Sequence, residues 1–166
     1  MILRGRAIVF GDDVSTDQII PGKYLKLTEE EAAKHVLEGL DPTFASRVRK
    51  GDLLVGGKNF GAGSSREYAA SALRIAGIGA VIAPFFARIF FRNAINQGLA
   101  VFECAEARTI REGDDLEVDV VAGTVRDLTQ GTSFMSTKLP PHILELIEAG
   151  GLVPWLERRL AAQAAR

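Results

Sequence analysis

The middle of the chain alternates between two kinds of apolar pattern, and this alternation restricts the fold more than any other feature of the sequence. A strand-like run, Leu53-Leu54-Val55-Gly56-Gly57, passes through a glycine-rich turn into a segment where Ala69, Ala72, Leu73 and Ala76 fall at helical spacing. Gly77-Ile78-Gly79 breaks that helix, and Ala80-Val81-Ile82-Ala83 has the make-up of a buried strand. Pro84 suits the first turn of a second helix, expected over 84–96, and Gly98 stops it before another strand over 99–102. Strand, helix, strand, helix, strand in this order favours parallel strands joined by crossovers.

The two ends have a different texture. Ala7-Ile8-Val9-Phe10 reads as a short first strand, closed by Gly11-Asp12-Asp13 and the polar turn Val14-Ser15-Thr16-Asp17-Gln18. Thr28 followed by Glu31 is a capping box. The helix it opens carries Ala32, Ala33, Val36 and Leu37 on one face and is expected to end near Gly39, with a further short helical turn after Asp41-Pro42. Towards the other end, Leu116-Glu117-Val118-Asp119-Val120 alternates apolar and acidic as a half-exposed strand does, and Gly123 turns the chain into a returning strand over 125–128. Pro140-Pro141 opens a helix bearing Ile143, Leu144, Ile147 and Ala149, stopped by Gly150-Gly151. Residues 152–160 form a last amphipathic segment with Trp155, and the tail beyond them is expected to fray. No repeat or linker interrupts the 166 residues, which are expected to form a single domain, 1–166, of mixed α/β class.

A net charge of −1 gives no support to a nucleic-acid or anionic-membrane surface. No apolar run approaches the ~20 residues of a membrane span. The start, Met1-Ile2-Leu3-Arg4-Gly5-Arg6, lacks the apolar core of a signal peptide, so a cytoplasmic location is expected. Cys104 is the only cysteine, and His35 and His142 are the only histidines. One thiol cannot by itself hold an iron–sulfur cluster or a structural zinc ion, so any metal the chemistry needs would come from elsewhere. Cys104 closes the apolar run that begins at Leu99 and reads as a buried, inert thiol. His142, beside Pro141, reads as structural, and His35 as solvated on a capped surface helix.

The stretch Lys58-Asn59-Phe60-Gly61-Ala62-Gly63-Ser64-Ser65-Arg66-Glu67-Tyr68 joins a strand to a helix, where backbone N–H groups and the helix dipole favour negative charge. Its spacing fails as a dinucleotide loop, because Arg66 stands where the third glycine is needed for close helix–strand packing. It fails as a Walker loop for lack of Gly-Lys-Ser/Thr, and as a nucleophile elbow because Arg66 follows Ser64 at the second position. The plainest reading is that Ser64 or Ser65 caps the helix. The functional one is an anion site, with Arg66 as a bidentate carboxylate clamp and Ser64 as an alkoxide base favoured by the dipole.

These residues carry a resemblance. Gly61-Ala62-Gly63-Ser64-Ser65-Arg66-Glu67 resembles the signature of the mobile C-terminal domain of the aconitase superfamily. Ser15-Thr16-Asp17-Gln18-Ile19-Ile20-Pro21-Gly22 is similar to that domain's Thr-Asp-x-Ile-x-Pro turn, and Phe86-Ala87-Arg88-Ile89-Phe90-Phe91-Arg92-Asn93 to its second helix. With Leu139-Pro140 and Gly150-Gly151-Leu152, these segments come in the family's order and span nearly the whole chain. The length and the Lys23-Tyr24-Leu25 loop resemble the free-standing small subunits of 3-isopropylmalate dehydratase and homoaconitase.

The resemblance implies a swivelling β/β/α three-layer domain of mixed parallel and antiparallel strands that docks over a large subunit. That partner would carry a 4Fe–4S cluster with one iron open as a Lewis acid. It implies Ser64 as base, Gly63, Ser65 and Arg66 as substrate-binding residues, and Asp17 supporting the site from behind. Tyr24, Leu25, Lys26 and Leu27 would form the loop that selects the side group of a small hydroxy-dicarboxylic acid. An apolar contact from Leu25 or Leu27 suits isopropylmalate, which is the favoured substrate, whereas Lys26 suits the extra carboxylate of homoaconitate or would simply reach solvent; a methyl-substituted malate is the remaining alternative. Many relatives have His at the position of Tyr68 and Pro at that of Ala70. A stand-alone carboxylate-binding regulatory module and a self-sufficient serine hydrolase are the readings from other classes. Arg88 and Arg92, recurring along one helix face beside aromatic residues, suit a docking surface.

Overall fold

The computed structural model describes residues 1–165. Its strands form one seven-stranded ladder in the order β4-β3-β2-β1-β5-β6-β7, namely β1 (Ile2–Val9), β2 (Leu53–Val55), β3 (Ala80–Ala83), β4 (Ala100–Glu103), β5 (Asp115–Asp119), β6 (Thr124–Asp127) and β7 (Thr132–Met135). β1 divides its length between two partners. Residues Ile2 to Arg6 pair antiparallel with β5, and Ala7 to Val9 pair parallel with β2. At the changeover a Cβ on Gly5 would lie 2.0 Å from the Gly51 carbonyl oxygen, so only glycine fits where the two backbones meet.

The period-two alternation of the parallel strands then builds three layers. Ile8, Leu54, Val81, Ala83 and Val101 join the core beneath the helices. Their neighbours Ala7, Leu53, Val55, Ala80, Ile82, Ala100 and Phe102 pack with Leu116, Val118 and Val125 of the antiparallel strands. The parallel sheet is thus covered on both faces, which is why its strands read as unbroken apolar runs. The helical side contains α1 (Thr16–Ile19), α2 (Glu29–Ala33), α3 (Phe44–Arg47), α4 (Glu67–Ala76), α5 (Arg88–Asn96), α6 (Pro141–Ala149) and α7 (Leu152–Ala164). The expected mixed β/β/α layering is what the chain adopts.

Several local expectations need correction. The first strand begins at Ile2 rather than Ala7, because Leu3 and Gly5 pair with the hairpin strand β5. That hairpin gains a third strand, β7, which the sequence pattern did not mark. Glu117 was placed on an exposed acidic face, yet it is 8% exposed, with Arg4 Nε donating to it at 2.7 Å and Arg126 Nη1 at 3.4 Å. The helix after Thr28 has its capping box but ends at Ala33, since Leu37 turns to φ +57° and donates its N–H to Ile19 O at 2.8 Å. The helix assigned to Pro84 starts only at Arg88, because Phe86 forms a bridge with Phe60. Ala87 N donates to Phe60 O at 2.9 Å and holds that segment extended. The C-terminal segment stays helical to Ala164 instead of fraying at Leu160.

Candidate functional site

The glycine turn lies beyond the carboxyl end of β2, beside the loop that leaves the carboxyl end of β1. In α/β sheets ligand sites form at such ends. The two loops are laced by backbone bonds: Gly57 N to Gly11 O at 2.9 Å, Asp13 N to Lys58 O at 2.8 Å, Gly61 N to Val14 O at 2.7 Å, and Thr16 N to Ala62 O at 2.8 Å. Asp12 Oδ1 accepts from Lys58 N at 2.7 Å and adds a side-chain tie. Beneath the turn, fully buried Phe60 meets Phe90 edge-to-face at 5.3 Å and Phe86 at 6.1 Å. Gly61 sits at φ +83°, and a Cβ there would lie 2.2 Å from Phe90 Cγ, so the turn closes on the aromatic cluster only because that residue is glycine.

This frame presents Gly63, Ser64 and Ser65 to solvent at the start of α4. The helix is capped by the backbone of Arg66 (φ −106°, ψ 101°) with no side-chain cap, so neither serine is the N-cap. The capping expectation is therefore corrected: Arg66 N donates to Ser64 O at 2.9 Å, a tight turn that leaves both hydroxyls uncommitted to the helix. The neighbour of Ser64 is Thr16, which is 2% exposed. Thr16 Oγ1 lies 3.2 Å from Ser64 O and 3.5 Å from Ser64 Oγ. A threonine has one hydroxyl proton, so Thr16 can give it to the Ser64 carbonyl or to a Ser64 alkoxide. No histidine stands in the place of a triad base. His35 Nδ1 instead bonds Glu38 Oε2 at 2.9 Å.

Arg66 reaches back over the first loop. Its Nη1 donates to Ile20 O at 3.1 Å and pairs with Asp17, while the guanidinium lies beside Gly22. Both named contacts use Nη1, so Nε and Nη2 keep their donors for a further anion. Asp17 thus pairs with the arginine head from the exposed side of the first loop.

The loop of Tyr24, Leu25, Lys26 and Leu27 begins at this same point. Leu25 is 38% exposed and Lys26 is exposed, while Tyr24 and Leu27 are half-buried. Tyr68, on the first turn of α4, donates its hydroxyl to Leu27 O at 3.1 Å. Tyr24 stacks on His35 with ring centres 4.0 Å apart and donates its hydroxyl to Glu38. His35 is therefore a packed partner of the loop on one ring face, while its side chain stays 38% exposed. The Tyr24 hydroxyl, followed by His35 and Lys23, holds the Glu38 carboxyl below its ordinary value.

Elsewhere, burial pushes the Cys104 thiol up to about 11, which keeps it protonated and unsuited to metal ligation. Arg88 and Arg92 are exposed, and Arg88 borders a cleft of about 350 Å³ with Phe85, Phe86, Phe91 and Glu103. His142 is exposed on α6. No helix among the described residues is long and apolar enough to cross a membrane. Sequence reasoning passed over Thr16, Tyr68 and Glu38, because a polar residue in a turn carries no mark of which partner folding will bring.

A three-layer domain with a serine-rich glycine turn beside a tethered arginine matches a known class: residues 12–107 fit the family described as the aconitase C-terminal domain, and the chain belongs to that family. It is 49% identical over 162 residues to the 3-isopropylmalate dehydratase small subunit of Moorella thermoacetica, covering 96% of this chain and 98% of the relative. It is 56% identical over 150 residues to 3-isopropylmalate dehydratase small subunit 1 of Archaeoglobus fulgidus, covering 90% of this chain and 93% of the relative. Identity to the isopropylmalate/citramalate isomerase small subunit of Methanocaldococcus jannaschii is 49% over 162 residues, with 96% of each chain covered. The crystal structure of 3-isopropylmalate dehydratase from the same organism superposes with a TM-score of 0.94 at 43% identity, covering 99% of both chains.

Proposed function

We propose that the chain is the small subunit of a 3-isopropylmalate dehydratase, a hydro-lyase that interconverts 2- and 3-isopropylmalate by removing and re-adding water. The observation that carries this reading is Ser64, exposed just ahead of α4, whose start has no side-chain cap, with the Thr16 hydroxyl 3.5 Å away. In this reading Ser64, as the alkoxide, takes the proton from the carbon beside a substrate carboxylate. The C–H electron pair becomes the double bond, and the hydroxyl on the neighbouring carbon departs with its bonding pair as hydroxide, which a proton from solvent would convert to water. Rehydration at the other carbon reverses these steps and returns the proton from Ser64. The helix N-terminus and the Thr16 proton stabilise the alkoxide. Arg66 receives a substrate carboxylate on the donors that Asp17 and Ile20 leave open, with Ser65 and the Gly63 backbone beside it.

A 4Fe–4S cluster on the large subunit would supply the Lewis acid for the departing hydroxyl. The chemistry of this chain fits that division, since its only thiol is buried and held protonated. Partner docking falls on the exposed side of α5, where Arg88 and Arg92 flank Ile89, on the helix whose Phe90 underlies Gly61. Leu25 offers the apolar contact an isopropyl group needs. A cytoplasmic setting belongs to the same reading. The test is reconstitution with a cluster-bearing large subunit, followed by assay of isopropylmalate, citramalate and homoaconitate. Turnover of isopropylmalate is expected, and preference for homoaconitate would move the assignment to homoaconitase. Absence of both complex and turnover, with carboxylate binding retained, would leave a stand-alone carboxylate-binding module.

A further inference from the structure

The loop proposed to face the substrate is too short and too exposed to hold its own shape. Residues 22–27 form a single 3-10 turn and its exit, with Tyr24 N donating to Pro21 O at 3.0 Å, Leu25 N to Gly22 O at 3.2 Å and Leu27 N to Tyr24 O at 3.1 Å. No apolar side chain of this segment is fully buried. Tyr24 and Leu27 pack partly against the core and Tyr68 holds Leu27 O, and the remaining polar ties converge on one carboxylate outside the segment. Glu38 Oε1 accepts the Tyr24 hydroxyl and faces Lys23 Nζ at 3.5 Å, while Oε2 meets His35 Nδ1 at 2.9 Å. The aromatic ring among these contacts has two further neighbours. His35 stacks on it at 4.0 Å and 7°, and Lys23 Nζ lies 4.7 Å from its centre.

Glu38 is itself held in place. The preceding residue, Leu37, is fully buried in a left-handed turn, with its N–H bonded to Ile19 O at 2.8 Å. Ile19 adjoins Ile20, whose carbonyl accepts from Arg66. The mooring and the carboxylate clamp are therefore fastened to consecutive residues of one segment.

We propose that Glu38, acting through Tyr24, is a positioning residue that sets the distance between the selecting loop and the Ser64–Arg66 turn, and so governs discrimination between side groups. This inference rests on the reading of residues 24–27 as the selecting loop. Within that loop it separates two tasks. Tyr24 and Leu27 are anchor points, to Glu38 and Tyr68, and Leu25 and Lys26 are the side chains left exposed to a ligand.

Two measurements test it. In the isolated chain, Glu38→Ala is expected to speed amide hydrogen exchange at Tyr24, Leu25 and Leu27 about tenfold, with the β1 and β2 amides unchanged, since a hydrogen bond to a charged group contributes roughly that factor. Unchanged exchange at these residues overturns the mooring. In the reconstituted pair, Glu38→Ala is expected to lower the ratio of kcat/KM for isopropylmalate over citramalate about tenfold, chiefly through KM. Glu38→Gln keeps an acceptor for the Tyr24 hydroxyl and is expected to restore most of the ratio. An equal fall for both substrates would show a merely structural role and overturn the proposal. Should the wild-type pair turn over neither substrate, the functional reading falls, while the exchange measurement still decides whether Glu38 moors the loop.

Discussion

Two neighbouring segments, joined where Arg66 reaches Ile20 and Gly22, are held in place by opposite means. The glycine turn is fixed by its backbone: paired N–H and carbonyl groups join it to the loop after β1, and Gly61 is pressed on Phe90 with no room for a Cβ. The loop over 22–27 is fixed by side chains, through Tyr24 to Glu38, Tyr68 to Leu27 and Arg66 to Ile20. Backbone lacing depends little on side-chain identity except where a glycine is demanded, so it holds Ser64 in one place whatever the substrate. Side-chain tethers can be exchanged one at a time. A fold built this way can keep the proposed base and clamp constant while the loop proposed to select the side group varies.

The largest expected effect is chemical. Ser64→Ala removes the proposed base and should lower turnover by roughly 10²–10⁴-fold, the usual contribution of a general base. The side chain is exposed, so the unfolding free energy from a urea titration should stay within about 0.5 kcal/mol of wild type. An unchanged rate would take Ser64 out of the mechanism and leave the turn as scaffold alone. Next comes Gly61→Ala, which combines a left-handed φ with a 2.2 Å clash against Phe90. The expected loss is about 3 kcal/mol or more in a denaturant titration. A loss below ~1 kcal/mol would mean that the turn yields as readily as the loop, and the contrast would fail. The smallest is Tyr68→Phe, which deletes only the 3.1 Å bond to Leu27 O. It should cost ~0.5–1.5 kcal/mol, and a cost matching that of Gly61→Ala would show that the loop is as rigidly built as the turn.

The strands of the parallel half were legible in the sequence. They are buried on both faces, and each apolar run is bounded by a glycine or a proline. The glycine turn, the Thr28 capping box and the Gly77 and Gly150 helix stops are likewise set by local chemistry, and the structure keeps them all. The antiparallel half was legible only in part. Thr132 to Met135 has no fully buried residue, so its strand character comes entirely from pairing with β6. Pro84 is a sound helix opener, but Phe60 claims the backbone of the residues after it.

What the sequence determined by itself is the alternation that demands parallel strands, the conformations open only to glycine, and the family signature running from the Thr16-Asp17 turn to Asn93. The alternation and the glycine stops depend on residues close in the chain, whereas the close approaches at Gly5 and Gly61 are to Gly51 and Phe90. The tertiary structure decided which polar groups meet: Thr16 with Ser64, Tyr68 with Leu27, Tyr24 with Glu38 through the His35 stack. These pairs are 48, 41 and 14 residues apart. A hydroxyl or a carboxylate in a loop has many partners of equal local merit. Only the closing of the three layers, driven by apolar burial elsewhere, brings one of them within bonding distance.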